Sequence, residues 1–188
     1  LTIWTFAIEK LYFGLDQPFY WHLNNVLLHL ICVLLVFRII MLLGVRWQGA
    51  FVAALLFGIH PMRVESVAWV TERKDVLFGV FYLAALLQYV RYKIDAKSSR
   101  LIWLTIFFVL SLFSKIQAVS LPLSMMAVDY FMDKKWSLNS VFNKIPYLGL
   151  SLFFVVYGMF KLRQISSRTV IEDTTNFTIF QRLFVGSF

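Results

Sequence analysis

The sequence predicts an all-α integral membrane bundle of about six spans with an interfacial N-terminal helix, and three observations carry that prediction. The first is composition: 60% of the 188 residues are hydrophobic and 18% aromatic, with a mean hydropathy of +0.75. A soluble domain of this size has too little interior to hide so much apolar surface. The second is segmentation, because the apolar residues fall into runs that approach or exceed the roughly 20 residues needed to cross a bilayer as helix. The third is the placement of charge. Only 15% of residues are charged, and the net +8 sits mostly at the ends of apolar runs, where lipid headgroups and the positive-inside bias account for it. That placement argues for a membrane lipid partner and against nucleic acid. Cys32 is the single cysteine, so no disulfide framework or thiolate metal site is available.

Residues 1–18 read as a helix lying along the membrane. Ile3, Ala7 and Leu11 recur at helical spacing, Glu9 and Lys10 forbid a span, and Gly14, Asp16 and Pro18 end the run. The membrane segments follow at 20–43, 47–60, 76–92, 101–119, 121–132 and 145–162. In the first of these His22, Asn25 and His29 stand at i, i+3 and i+7, sharing a face that should point into the bundle. Interhelical hydrogen bonding is the plainer reading of that face, and a ligand-facing role is the other. Pro61 interrupts the second segment, and Lys115 stands inside the fourth. The sequence has no signal peptide pattern, begins without Met, and ends in an apolar stretch, so it is expected to be an internal piece of a longer protein. The triplet Asn176-Phe177-Thr178 is a glycosylation sequon, a motif frequent by chance.

Alternating spans put 44–48, 91–100 and 133–144 on one side and 60–75, 114–121 and 163–178 on the other. Lys and Arg number nine on each side, so counting does not orient the chain. Their company differs. The first side sets its bases in tight clusters with Asp95 and Asp133, whereas the second interleaves them with seven acids from Glu9 to Asp173. We therefore place the first side in the cytoplasm and read 60–75 as an extracytoplasmic polar loop. Within that loop stand His60, Arg63, Glu65, Glu72, Arg73, Lys74 and Asp75. Seven ionisable groups beside lipid are costly and must reach water, pair, or serve a site.

Three stretches carry a family resemblance. HPMRVESVAWVTERKDVL at 60–77, GLDQPFYWHLNNVLLHL at 14–30 and LFSKIQAVSLPLSMMAVDYF at 112–131 resemble motifs of the transmembrane and tetratricopeptide-repeat O-mannosyltransferase-like family and its bacterial relatives. The resemblance implies a glycosyltransferase of GT-C architecture, in the bacterial inner membrane or endoplasmic reticulum. Such an enzyme takes sugar from a polyprenyl-phosphate donor and passes it to a protein or glycan acceptor hydroxyl on the extracytoplasmic side. It also implies catalytic acids in a loop preceding Leu1 and tetratricopeptide repeats, of which none is visible through Phe188.

An enzyme of that kind must hold an anionic phosphate, stabilise it as it leaves, and present a base. Arg63, Arg73, Lys74 and Lys115 are the candidate phosphate-binding cations, since Arg forks pair with phosphate oxygens and Lys supplies a compact charge. Local ion pairing with Glu65, Glu72 and Asp75 is the plainer role for the first three, and snorkelling for Lys115. Glu65 and Glu72 are weak catalytic candidates that can also hold a divalent cation. His60, Asp75, His22, Asn25 and His29 are supporting residues. His60 is further expected to cap the interrupted helix, and no protein metal site is indicated. Interior polar faces and Pro-broken helices equally describe a membrane scaffold, an anchor for a repeat domain, or a transporter.

Overall fold

The computed structural model describes residues 2–13, 18–134 and 141–173, with side chains described through Phe160 apart from that of Phe13. Every long element is a helix: α1 (Thr2–Phe13), α2 (Pro18–Leu42), α3 (Trp47–Ile59), α4 (Val64–Ala68), α5 (Arg73–Asp95), α6 (Ser99–Ser114), α7 (Leu121–Asp133) and α8 (Ile145–Asp173). The fold class is therefore all-α among the described residues, as composition and periodicity indicate.

α5 is the central rod, packed along α2 on one flank and α6 on the other. Its 23 residues span about 35 Å at the helical rise, so its two ends carry separate side-chain clusters. The fully buried middle is made by Ala85 and Val90 of α5, Leu104 and Phe108 of α6, and Leu121 of α7. Small residues let α2 close on its neighbours. A Cβ at Gly58 would stand 3.1 Å from Val33 Cγ2, and one at Gly79 would stand 3.1 Å from Cys32 Sγ.

Of 25 residues in α2, Asn25, Cys32 and Ile39 are buried, and Leu27, Leu30, Ile31 and Leu34 are exposed. Among the described residues α2 is the one helix long and apolar enough to cross a membrane by itself. A second such unit exists if α3 and the Pro61–Ala68 segment, bent by 53° at the break, form one span. α6 and Ile145–Phe160 are apolar but shorter.

Several boundaries differ from those the sequence suggests. The polar segment 60–75 is not a plain loop: a 3₁₀ turn at Pro61–Arg63, α4, and a second turn at Val70–Glu72 run into α5. Trp69 is extended between α4 and that turn, so the helical pieces of this segment are separate. The run 101–119 is also divided. α6 stops at Ser114, Lys115 is extended (φ −155°, ψ 137°), and a 3₁₀ turn at Ile116–Ser120 leads into α7. Pro122 stands in the first turn of α7, where its missing amide costs no helical bond. The last helix continues past 162 to Asp173, and no Pro or Gly between 159 and 173 stops it. The sequon at 176–178 lies outside the described residues.

α1 turns its apolar stripe outward. Ile3 and Leu11 are 82% and 84% exposed, while Glu9 is buried against the bundle.

Candidate functional site

Arg73 begins α5 with no exposed surface. Its Nη1 lies 2.5 Å from Glu9 Oε1 of α1. Nε donates to Asn25 Oδ1 and Nη2 to the Trp21 carbonyl of α2, each at 2.9 Å. The guanidinium carbon also lies 4.4 Å from the Phe6 ring centre. One planar fork thus joins three helices, which a lysine point charge cannot reproduce. The partner is Glu9 from far upstream, not the neighbouring Glu72 or Asp75. Asn25 is equally committed, its Nδ2 donating to the Val67 and Trp69 carbonyls. Of the face His22–Asn25–His29, Asn25 and His29 bind other helices as the plainer reading has it, whereas His22 stays exposed.

The other expected cations separate by partner. Lys74 makes an exposed pair with Glu72 at 3.1 Å, an arrangement worth about 0–1 kcal/mol. Lys115 does not snorkel: its Nζ meets Asp75 Oδ1 at 2.5 Å, tying the α6–α7 break to the start of α5. Ser66 Oγ lies 3.5 Å from the other Asp75 oxygen. Nearby, Tyr82 Oη contacts Ser124 Oγ at 2.5 Å and Ser120 Oγ at 3.3 Å. Arg63 is different, for among the described residues it has no carboxylate partner. Its guanidinium lies 4.9 Å from the Phe57 ring centre, and the same ring stacks on His29.

Two adjoining cavities share Arg63 and His29. The deeper, about 310 Å³, is lined by Asp75, Ser66, Tyr82 and Ser120 together with buried Cys32 and Val76. The outer, about 340 Å³, takes in His22, His60, Val26, Ile59, Val64 and Val67. All three histidines of the chain therefore line the outer cavity. Their hydrogen bonds define which nitrogens remain available. His29 Nε2 is 3.0 Å from the Gly58 carbonyl, which can only accept, so Nε2 carries the proton and Nδ1 is an acceptor. His60 Nδ1 accepts from the Met62 amide at 3.3 Å, leaving Nε2–H as a donor. His60 does act as a cap, but of the following turn's amide rather than of the α3 carbonyls.

Glu65 is exposed and Glu72 is paired with Lys74; neither lines these cavities. Among the described residues no group of three or more His, Cys, Asp or Glu is placed to hold a metal ion.

At the far end of α5 stands a second cluster. Asp129 of α7 binds Lys144 and accepts from Tyr89 Oη at 2.5 Å, with Lys93 Nζ 3.4 Å away. Lys93 also meets Asp133 at 2.7 Å. The sequence showed Asp129 inside an apolar run without choosing its partner. It gave no sign of the roles of Glu9 and Tyr82, which work through helices distant in the chain, or of Phe57, which meets Arg63 across the bend after Ile59.

Comparison with known proteins places this geometry in context. The chain is 34% identical over 113 residues to protein O-mannosyl-transferase TMTC3 of Homo sapiens, covering 58% of the chain and 12% of that protein. It is 37% identical over 92 residues to human protein O-mannosyl-transferase TMTC1. With protein O-mannosyl-transferase tmtc2 of Xenopus laevis the identity is 30% over 162 residues, covering 83% of the chain. The chain is homologous to these protein O-mannosyl-transferases. It spans between 10% and 19% of the length of the mannosyl-transferases named here, so it corresponds to a part of them. No protein-family model matches the chain, and no solved structure matches it.

Proposed function

We propose that this chain forms part of the core of a multi-pass membrane glycosyltransferase. The enzyme transfers a sugar from a polyprenyl-phosphate donor to a protein or glycan hydroxyl on the extracytoplasmic face. Arg63 is the principal phosphate contact. A cation bound to a carboxylate has already spent its charge, and Arg73 and Lys115 are so bound; among the described residues Arg63 has no carboxylate partner and stands beside two cavities. That single observation carries the site assignment, while the names of the relatives support the reaction class. Lys74 is likewise paired, with Glu72, and Lys115 shapes the deeper cavity through Asp75. The cluster around Asp129 then faces the cytoplasm. The exposed apolar sides of α2 and α1 meet lipid, with α1 lying along the interface.

The test is sugar transfer from a polyprenyl-phosphate donor by the full-length protein. Arg63→Ala is expected to lower turnover by about 100-fold or more, the scale for removing one donor from developing negative charge. Lys97→Ala, at the opposite end of the bundle, is expected to leave it unchanged. Unaltered turnover in Arg63→Ala at normal expression would remove the assignment and favour a scaffold.

A further inference from the structure

Resting on the donor reading above, we infer that the two adjoining cavities divide one amphiphilic ligand between them. The polyhydroxylated head group lies in the deeper cavity, the lipid chain leaves through the outer one, and the phosphate sits between them at the Arg63 guanidinium, within the reach of His60 Nε2–H.

The linings differ in kind. The deeper cavity presents a carboxylate (Asp75) and hydroxyls from Ser66, Ser120 and Tyr82, beside the rings of Phe57 and Phe78. Carboxylate and hydroxyl groups exchange hydrogen bonds with sugar hydroxyls, and aromatic faces take the apolar side of a sugar ring. The outer cavity is walled by Val26, Ile59, Val64 and Val67, of which Ile59 and Val64 are 65% and 62% exposed. It is therefore open on the side where α2 shows its own exposed apolar face, a continuous path for a hydrocarbon chain. Donors gather at the partition. Arg63 supplies a planar fork suited to paired phosphate oxygens, and His60 offers Nε2–H from the outer side. The wall itself is α4, where successive residues face opposite ways: Ser66 lines the deeper cavity and Val67 the outer.

A free phosphate would use the junction alone, and a simple phospholipid would leave the deeper cavity without function. Only a ligand with apolar chain, phosphate and polyol in that order uses all three surfaces.

The experiment measures binding to the full-length protein of two probes, a short-chain polyprenyl phosphate and its mannosyl ester. Val67→Trp narrows the outer cavity and is expected to weaken both probes by about tenfold or more. Ser66→Leu and Ser120→Val intrude on the deeper cavity. Each is expected to weaken the mannosyl ester by about tenfold while leaving the sugar-free lipid within about twofold. Two deeper-cavity variants are used so that one decides if the other does not fold, as judged by its unfolding midpoint. Equal weakening of both probes by the deeper-cavity variants, or no effect on the mannosyl ester, overturns the division while leaving the donor reading in place. Wild-type protein that binds neither probe overturns the donor reading and this inference with it.

Discussion

Arg73→Ala is expected to destabilise the protein by about 3–5 kcal/mol, the cost of breaking a buried ion pair by removing one partner. The loss is large because of what remains. Glu9 would stay buried without its cation, Asn25 Oδ1 would lose its donor, and the Trp21 carbonyl would lose its bond. α1 should then detach from the ends of α2 and α5, since Arg73 joins all three. Thermal unfolding in detergent measures the stability loss, and limited proteolysis within 2–13 reports the detachment. Arg73→Lys should recover little, because one ammonium cannot span Glu9, Asn25 and Trp21 together. A wild-type unfolding midpoint in Arg73→Ala would show that the cluster contributes no stability and would return Arg73 to the list of available phosphate contacts.

Asp129→Ala is expected to have a comparable effect, about 3–5 kcal/mol, at the other end of α5. Lys144 is 2% exposed, so it would be left buried without this carboxylate. Tyr89 and Lys93 would lose an acceptor and a counter-charge as well. Burial alone would draw the Lys93 ammonium below its ordinary value, but its hydrogen bond to Asp133 and the charges of Asp129 and Asp133 outweigh that and raise it. The stabilisation from Lys93 is therefore complete below the ordinary lysine pKa and is lost as pH rises through the higher folded value. Asp129→Ala should shrink this alkaline dependence. A double-mutant cycle with Lys144→Met distinguishes the pair from its surroundings: the double variant should be more stable than Asp129→Ala alone. No recovery in the double variant would contradict the account of Lys144 as a charge that depends on Asp129.

The helical class was readable because hydrophobic periodicity and run length are local properties. So was the break at Pro61, since proline acts on its own neighbourhood; the break at Lys115 falls inside the expected segment 101–119 and was not. The grouping of charges into two ends was readable too: Lys115 meets Asp75, and Lys93 meets Asp133, each within a side assigned from alternation. Pairing across the chain was not. Arg73 lies among Glu72, Lys74 and Asp75, so sequence proximity suggests those partners. Packing of α1 against α2 instead brings Glu9 from 64 residues away. A different limit hid Phe57 beneath Arg63, its near neighbour in the chain. A ring on an apolar helix carries no local sign that it will support a guanidinium, and only the bend after Ile59 brings the two together.

The central claim is that a lipid-linked phosphate rests against Arg63 between two cavities. Determining the structure of the full-length protein with a mannosyl polyprenyl phosphate bound tests it most directly. The account predicts phosphate density within hydrogen-bond reach of the Arg63 guanidinium, sugar beside Asp75 and Tyr82, and chain along Val26 and Val67. Phosphate density held elsewhere, with Arg63 making no contact to it, would contradict the account.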